Sequence, residues 1–244
     1  MVRKLRCDGK PVSLVVLAGG ESRRMKKAKA FLPAPDRPLI ERILAQVEGR
    51  FDEILISVSK RRTLPGLPCR QVKDEFPGRG PIEGVRCGIR AARHNAVAVI
   101  ACDIPDIDIR FLSRLIRAAE EHDIAVPVTA AGDFEPLFAV YKKSVLPAVE
   151  RLVVSEDNSL IPLFSRCRTR TVSIEDPSWL KNLNTPEDYA RFLRALKARG
   201  GAAKSGSNLQ WFAKFRSGCT GRKTTSGPPA RRPVPRQRPA READ

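Results

Sequence analysis

Two short segments of this chain carry residues whose types and spacing suit the binding of a phosphorylated ligand. In the first, Ala18, Gly19 and Gly20 follow an apolar run and precede a loop rich in arginine and lysine. Glycine N–H groups in such a turn can hold an anion, and the cationic side chains add a positive field. In the second, Asp103 follows the apolar run 96–101. A carboxylate there can hold Mg²⁺ together with substrate phosphate oxygens.

The glycine turn has two interpretations. Residues 12–31 read VSLVVLAGGESRRMKKAKAF, a predicted buried strand followed by the glycines and a cationic loop. This order favours a grip on a nucleoside triphosphate, whereas an ordinary tight turn after a strand is the structural alternative. The segment is neither a Walker loop nor the dinucleotide fingerprint, because both need a different glycine spacing.

The same segment resembles the signature of the molybdenum cofactor guanylyltransferases and their nucleotidyltransferase relatives. The matching positions are Leu17, Ala18, Gly19, Gly20, Ser22, Arg24, Met25, Lys29 and Ala30. Two positions depart from the pattern, since Lys26 replaces a glycine and Ala28 replaces an aspartate. The resemblance implies that Lys29 and the backbone from Leu17 to Gly20 bind the nucleotide. It also implies that Arg24 and Lys29 act in catalysis.

Asp103, Asp74 and Ser57 extend the resemblance. Asp103 lies in a C-D-x-P sequence that in the family binds nucleotide and magnesium and acts in catalysis, although a cap or turn after a strand is the alternative. Asp74 precedes a Gly-Pro turn, as does the family aspartate that contacts the nucleotide. A carboxylate can accept hydrogen bonds from N1–H and N2–H₂ of guanine, a donor pair that adenine lacks. Ser57 stands where the family often has a nucleotide-binding asparagine.

Two later segments resemble the family's contacts to the second substrate. Glu135 lies in the segment 133–141, which resembles the part of the family that faces this substrate. Asn182 and Asn184 belong to NLNTPED, which resembles the closing motif N-I-N-T-P-E-D. Part of that motif has a structural explanation, because threonine followed by proline starts a helix well. The resemblance covers residues 12–195.

Strand and helix patterns alternate along the chain. Apolar runs predict strands at 12–17, 53–58, 96–101, 124–126 and 137–141, while amphipathic periodicity predicts helices at 38–47, 84–92, 111–121 and 145–154 and a last helix ending near 198. Residues 60–80 are predicted to form a connecting loop. This alternation predicts an α/β/α three-layer sandwich with a Rossmann-like, mostly parallel sheet. The resemblance implies a fold like the nucleotide-diphospho-sugar transferases.

Composition divides the 244 residues into two parts. Residues 1–200 are the predicted nucleotidyltransferase domain. Residues 201–244 are rich in Gly, Pro and Arg and hold ten Lys and Arg against two acids, a net charge of +8 within a formal +18 for the whole chain. We expect this tail to be disordered, because few apolar groups offset the entropy of ordering. Its interleaved aromatic and basic residues leave nucleic-acid binding open.

The remaining composition narrows the class of protein. No apolar stretch approaches the length of a membrane span, and the six cysteines show no metal-binding spacing. We therefore expect a cytoplasmic protein without a membrane partner or a structural metal. Nucleic acid is an expected partner only through the basic tail.

The function implied by the resemblance is transfer of GMP from GTP to a molybdopterin-type cofactor, with release of pyrophosphate and Mg²⁺ as cofactor. A related nucleotidyltransferase that uses CTP, or that uses cobinamide phosphate or a sugar phosphate as acceptor, is the nearest alternative. A nucleic-acid-binding protein acting through the tail, and a catalytically weakened relative acting as a binding partner, are two more. The residues do not predict an oligomeric state.

Overall fold

The computed structural model describes residues 2–19, 30, 32–34, 37–155 and 158–198. The described residues therefore include Leu17, Ala18 and Gly19. Gly20, Arg24 and Lys29 lie outside the described residues, as does the tail 201–244. The roles predicted for these three residues, the predicted domain boundary at residue 200 and the predicted disorder of the tail stay predictions.

The strands form one eight-stranded sheet, and their directions bring most of the carboxyl ends to one edge. They are β1 Arg6–Cys7, β2 Lys10–Leu17, β3 Glu53–Val58, β4 Arg70–Lys73, β5 Ala96–Ala101, β6 Ile124–Val128, β7 Phe138–Lys142 and β8 Thr169–Ser173. The order is β4-β3-β2-β5-β7-β6-β8, and β1 pairs with β2 outside this order. All pairs except those of β1 and β7 are parallel. The carboxyl ends of β2–β6 and β8 thus meet at one edge, where β7 begins.

Helices cover both faces of the sheet. They are α1 Leu39–Gln46, α2 Pro81–Ala91, α3 Ile109–Ala118, α4 Leu146–Val154, α5 Leu163–Arg166 and α6 Pro186–Ala198. Apolar residues of α1, α3 and α6 join one core cluster, and those of α2, α4 and α5 join the other. Successive residues of β2 alternate between the clusters, with Leu14 in the first and Val15 in the second, because side chains of a strand point to opposite faces. The predicted three layers and mostly parallel sheet are confirmed.

The loop predicted for residues 60–80 is wrong at β4. This strand reads Arg-Gln-Val-Lys and none of its residues is buried, so no apolar run announces it. It lies at the end of the sheet and pairs with β3 alone. Strand β8 was also not predicted, for the same reason, since its sequence TRTVS is polar and its residues are exposed or half-buried. Burial on both faces makes a strand visible in sequence, and these two strands lack it.

Helix α2 begins three residues earlier than predicted. Gly80 precedes it with a φ of +67°, and Pro81 is its first residue. Glycine tolerates that left-handed backbone, and proline fits the first turn of a helix because its missing N–H has no partner there in any case. The start of α2 is thereby fixed directly after the segment that contains Asp74.

No helix in the described part of the chain is long and apolar enough to cross a lipid bilayer.

Candidate active site

The glycine turn starts between the ends of two neighbouring strands. The Ala18 N–H donates to the Ser57 carbonyl at 2.8 Å, and the Cys102 N–H donates to the Leu17 carbonyl at 3.0 Å. These bonds continue the pairing of β2 with β3 and β5 for one more residue on each side. Leu17, Ala18 and Gly19 therefore lie at the edge where the carboxyl ends of the strands meet.

Ser57 and Asp74 form a hydrogen-bonded pair beside Gly19. Ser57 is buried near the end of β3, and its hydroxyl hydrogen-bonds the Asp74 carboxylate. Asp74 directly follows β4, and its N–H donates to the Val58 carbonyl at 3.0 Å. A Cβ atom at Gly19 would lie 3.4 Å from Asp74 Oδ2. The structure thus brings together three residues that the sequence predicts to bind nucleotide.

The Asp74 carboxylate has an unusual electrostatic environment. Burial has the largest effect and, together with the negative charge of Glu83, raises the pKa of Asp74 to about 6. The hydrogen bond from Ser57 and the positive charge of Arg86 lower this pKa but do not offset the increase. Among the residues that the structure describes, Asp74 Oδ1 is buried without a hydrogen-bond partner. A buried acceptor left unsatisfied costs about 1–3 kcal/mol. A ligand that donates an N–H to this oxygen would remove that cost.

Asp103 and Glu135 bring two more carboxylates to the same edge. Asp103 follows β5, and Glu135 lies in the connection from β6 to β7. Burial raises the pKa of the half-buried Glu135, and the negative charges of Asp103 and Asp133 raise it further. The side chains of Asp103 and Glu135 are therefore close enough to repel each other, which the antiparallel placement of β7 beside β5 makes possible.

The segment that contains the two asparagines lies against Asp103. The Leu183 N–H donates to the Asp103 carbonyl at 2.9 Å, so Asn182 and Asn184 flank the residue that makes this contact. Asn182 is half-buried and Asn184 is exposed. The Asn184 N–H donates to the Asn182 carbonyl and to the Asp188 carboxylate, which also accepts from the Thr185 N–H at the start of α6. The motif therefore stabilises the start of α6 and also lies at the candidate site.

The Asp103 and Glu135 carboxylates suit a magnesium ion shared with a substrate. Mg²⁺ in nucleotide enzymes takes one or two carboxylates and completes its coordination with phosphate oxygens and water. Within the described ranges, no group of three or more His, Cys, Asp or Glu residues could hold a metal by itself. The donor set therefore fits an ion that arrives with phosphate groups, and it does not fit a structural site made wholly by protein.

Sequence reasoning missed a buried ion pair in α2. Glu83 and Arg86 are 1% and 3% exposed, and Arg86 Nε lies 2.7 Å from Glu83 Oε2. Their spacing of three residues along a helix was the available signal. Charged residues three apart usually mark a solvated helix face, so the sequence gives no indication that this pair is buried beside Asp74.

An open, mostly apolar cleft of about 520 Å³ reaches Phe134, the residue before Glu135. It is lined by Phe134, Ser159, Ile161, Pro162, Phe164 and Ser165. The rings of Phe134 and Phe164 lie 5.0 Å apart. The cleft is formed by the β6–β7 connection and the α4–α5 segment, and Leu17, Ala18 and Gly19, the described part of the glycine turn, do not line it.

Comparison with known proteins agrees with this fold. The sequence model described as the MobA-like NTP transferase domain matches residues 14–171. The molybdenum cofactor guanylyltransferase of Vibrio campbellii is 34% identical over 187 residues, which cover 74% of this chain and 94% of that protein.

Two crystal structures share the fold. One is the molybdopterin-guanine dinucleotide biosynthesis protein A of Archaeoglobus fulgidus, with a TM-score of 0.66, 21% identity, and coverage of 76% of this chain and 99% of the other. The second is Rv0371c of Mycobacterium tuberculosis in complex with manganese, with a TM-score of 0.56, 22% identity, and coverage of 75% and 98%. Since the match to the sequence model spans more than half of the 244 residues, this chain belongs to the MobA-like NTP transferase family.

Proposed function

We propose that this protein transfers GMP from GTP to a molybdopterin-type cofactor and releases pyrophosphate. The observation that carries the proposal is the buried Asp74 Oδ1, which has no hydrogen-bond partner in the described part of the chain and lies beside the glycine turn. Asp103 and Glu135 lie farther along the same edge of the sheet, so one edge offers a base-binding part and a phosphate-binding part. The name of the curated relative supports the choice of acceptor.

Guanine suits the Asp74 carboxylate better than other bases do. Its N1–H and N2–H₂ groups lie side by side and can donate to the two oxygens of one carboxylate. Adenine and cytosine each place a donor next to an acceptor, and that acceptor would face a carboxylate oxygen. The Ser57 hydroxyl fixes the carboxylate orientation. These contacts favour GTP over the CTP alternative.

The phosphate groups of GTP would lie along the backbone of Leu17, Ala18, Gly19 and Gly20. We propose that Arg24 and Lys29, which occupy the family's positions in the sequence, offset the negative charge that grows on the departing pyrophosphate. Such a transfer depends on positioning and charge neutralisation and needs no covalent protein nucleophile. Asn182 and Asn184 are proposed to bind the acceptor.

Asp103 and Glu135 would hold a divalent cation, which we propose to be Mg²⁺. When bound, the ion polarises phosphate oxygens and offsets their negative charge. Glu135 belongs to the segment proposed to face the acceptor, so this carboxylate would lie where the two phosphorylated substrates meet. The manganese complex of a protein with the same fold is consistent with a divalent ion.

We propose a cytoplasmic location. None of the cysteines in the described part of the chain forms a disulfide, as expected in a reducing compartment.

The test of this function uses the purified full chain with Mg²⁺ and each α-labelled nucleoside triphosphate in turn. Acceptors are molybdopterin, cobinamide phosphate and a sugar phosphate in separate reactions. We expect labelled product from GTP with molybdopterin and at least about tenfold less from every other combination. A better yield with CTP or with another acceptor would replace the proposal by one of the related transferases.

Two glycines of α2 provide a prediction that separates the site from the fold. A Cβ atom at Gly84 would lie 2.8 Å from Ser57 Oγ, and one at Gly88 would lie 2.6 Å from Val15 Cγ1. We expect Gly84→Ala and Gly88→Ala each to lower the free energy of unfolding by about 1–3 kcal/mol. Only Gly84→Ala should also raise the KM for GTP, because it displaces Ser57 from Asp74.

Urea unfolding and initial-rate kinetics of both glycine variants check this expectation. Gly88→Ala is the matched control, since it crowds the same helix against the sheet one turn farther from Asp74. An equal rise in KM for both variants would contradict the role of Ser57.

Removal of the tail tests whether it belongs to the working structure. We expect a chain ending at residue 200 to keep Mg²⁺-dependent transfer within about threefold of the full chain, since every matched motif lies before that residue. The truncation removes a net charge of +8, so it should weaken any salt-sensitive binding to RNA or DNA. Loss of transfer, or unfolding seen by circular dichroism, would show that the domain extends beyond residue 200.

A further inference from the structure

The residues after Asp74 are held by one buried side chain of α2. We define the recognition loop as Asp74, Glu75 and Phe76. Glu83 Oε1 accepts hydrogen bonds from the Glu75 N–H at 2.8 Å and from the Phe76 N–H at 3.0 Å. A carboxylate that is 1% exposed thus satisfies two consecutive N–H groups of the recognition loop.

Arg86 holds the side chains of the same loop. It donates from Nε to Glu83 Oε2 at 2.7 Å and from Nη2 to Glu75 Oε2 at 2.9 Å. Its guanidinium lies 5.0 Å from the centroid of the Phe76 ring. Arg90 also donates to the Glu75 carboxylate. Backbone and side chains of Glu75 and Phe76 are therefore both attached to α2.

A role in folding alone would not need charges at this position. Removing two charged groups from water costs several kcal/mol for each ion, and apolar residues of similar volume often stabilise a core equally well. Here the contacts of the pair converge on the two residues that follow Asp74. A change in the backbone position of Glu75 would move Asp74 with it, because the two residues are consecutive.

We infer that Glu83 and Arg86 are positioning residues for base recognition, which hold the recognition loop so that Asp74 presents its buried oxygen to guanine. The inference rests on the proposed function, in which Asp74 binds the base of GTP. It assigns specificity for the base to α2 as well as to the strand ends. Neither side chain is expected to contact the base.

The two residues also act on Asp74 through their charges, and with opposite sign. Among the residues that the structure describes, the groups that face Asp74 are Ser57 from β3, Glu83 and Arg86 from α2, and the backbone of Gly19 after β2. Although burial opposes its ionisation, the hydrogen bonds from Arg86 and from the loop N–H groups lower the pKa of Glu83 to about 2. Glu83 is therefore negative throughout the working pH range, and it raises the pKa of Asp74 while Arg86 lowers it.

The test compares the kinetics of Glu83→Gln, Glu83→Ala and Arg86→Met between pH 5 and 8. Glutamine keeps an oxygen that can accept from the loop, whereas alanine leaves two N–H groups without their acceptor. We expect KM for GTP at pH 7.5 to rise about tenfold or more in Glu83→Ala, with partial rescue in Glu83→Gln, while kcat changes less than about threefold. The GTP to ATP ratio of kcat/KM should fall in parallel.

The pH profile supplies a readout that a purely structural role would not give. KM for GTP should increase as the pH falls through the pKa of Asp74. Glu83→Gln removes a negative charge and should move this increase to lower pH. Arg86→Met removes a positive charge and should move it to higher pH. Shifts of opposite sign support the inference, whereas absent shifts or shifts in one direction would overturn it.

Glu53→Gln is the matched control. Glu53 is also buried, accepts from the Arg93 N–H at 2.7 Å and from the Ser13 hydroxyl at 2.7 Å, but lies at the start of β3, at the opposite edge of the sheet. We expect it to lower the melting temperature without changing KM or the pH profile. The same kinetic changes in this variant would show that loss of stability, and not loop position, causes them.

Glu75→Gln keeps the test informative if the buried variants do not fold. Glu75 is largely exposed, so its substitution leaves the core intact while it weakens the contacts to Arg86 and Arg90. We expect KM for GTP to rise about two- to fivefold. Calorimetry of GTP binding to the wild type separates the two proposals. If the wild type does not bind GTP, the proposed function fails, whereas tight binding that no α2 or loop variant changes would overturn this inference alone.

Discussion

Asp103→Asn is expected to reduce guanylyl transfer about a thousandfold or more while it leaves the fold intact. Loss of a ligand to the metal should cost several kcal/mol of transition-state stabilisation, and about 4 kcal/mol corresponds to a thousandfold change in rate. Asparagine has nearly the same shape as aspartate. The bond from the Leu183 N–H goes to the backbone carbonyl of Asp103 and does not depend on the side chain.

Measurement of kcat at saturating Mg²⁺ and of the melting temperature checks this prediction. Asp106→Asn is the control, since Asp106 lies three residues along the chain and pairs with Arg42 at 3.1 Å. We expect the control to keep transfer within about threefold of the wild type, because surface ion pairs contribute little. Transfer by Asp103→Asn within the same range would show that Asp103 holds no catalytic metal.

Asp74→Asn is expected to weaken GTP binding about a hundredfold and to remove most of the preference for GTP over ATP. A hydrogen bond to a charged group is worth about 1.5–3 kcal/mol. Aspartate offers guanine two acceptor oxygens, whereas asparagine offers only one. The side-chain amide also places a donor opposite a donor of the base. The matched comparison is inosine triphosphate, which lacks the N2 amino group and should lose less affinity with the variant than GTP does.

The pH dependence of GTP binding follows from the environment of Asp74. Its pKa is raised to about 6, so the carboxylate is ionised above that pH and protonated below it. Guanine donors need the ionised form, so GTP affinity should be constant above about pH 7 and fall as the pH drops through 6. This decrease should be absent in Asp74→Asn. Titration calorimetry of GTP binding from pH 5 to 8 checks this prediction. A GTP affinity that rises as the pH falls would contradict it.

Much of the fold could be predicted because the central strands are buried on both faces. The predicted bounds of β3 and β5 agree with the structure, as both are continuous apolar runs. Strands β4 and β8 carry polar residues and gain stability mainly from backbone pairing with one neighbour. Backbone hydrogen bonds do not affect side-chain composition, so the sequence does not predict these two strands.

The candidate site could be predicted only where a residue belongs to a short motif beside a recognisable strand or turn. Asp74 and Asp103 belong to short motifs, and the structure places both at the carboxyl edge of the sheet. The proximity of Glu135 to Asp103 depends on β7 running antiparallel beside β5, and strand direction cannot be read from composition. The burial of Glu83 could not be predicted, because burial of a charged residue in an amphipathic helix depends on what the other elements pack against.

Formation of the guanine dinucleotide product tests the central claim most directly. The purified full chain would be incubated with Mg²⁺, molybdopterin and GTP that carries separate labels on its α- and γ-phosphates. We expect the α label to appear in a product with the mass of molybdopterin plus GMP less one water, and the γ label to appear in pyrophosphate in equal amount. Release of inorganic phosphate in place of pyrophosphate, or an α label that never leaves the nucleotide pool, would contradict the account.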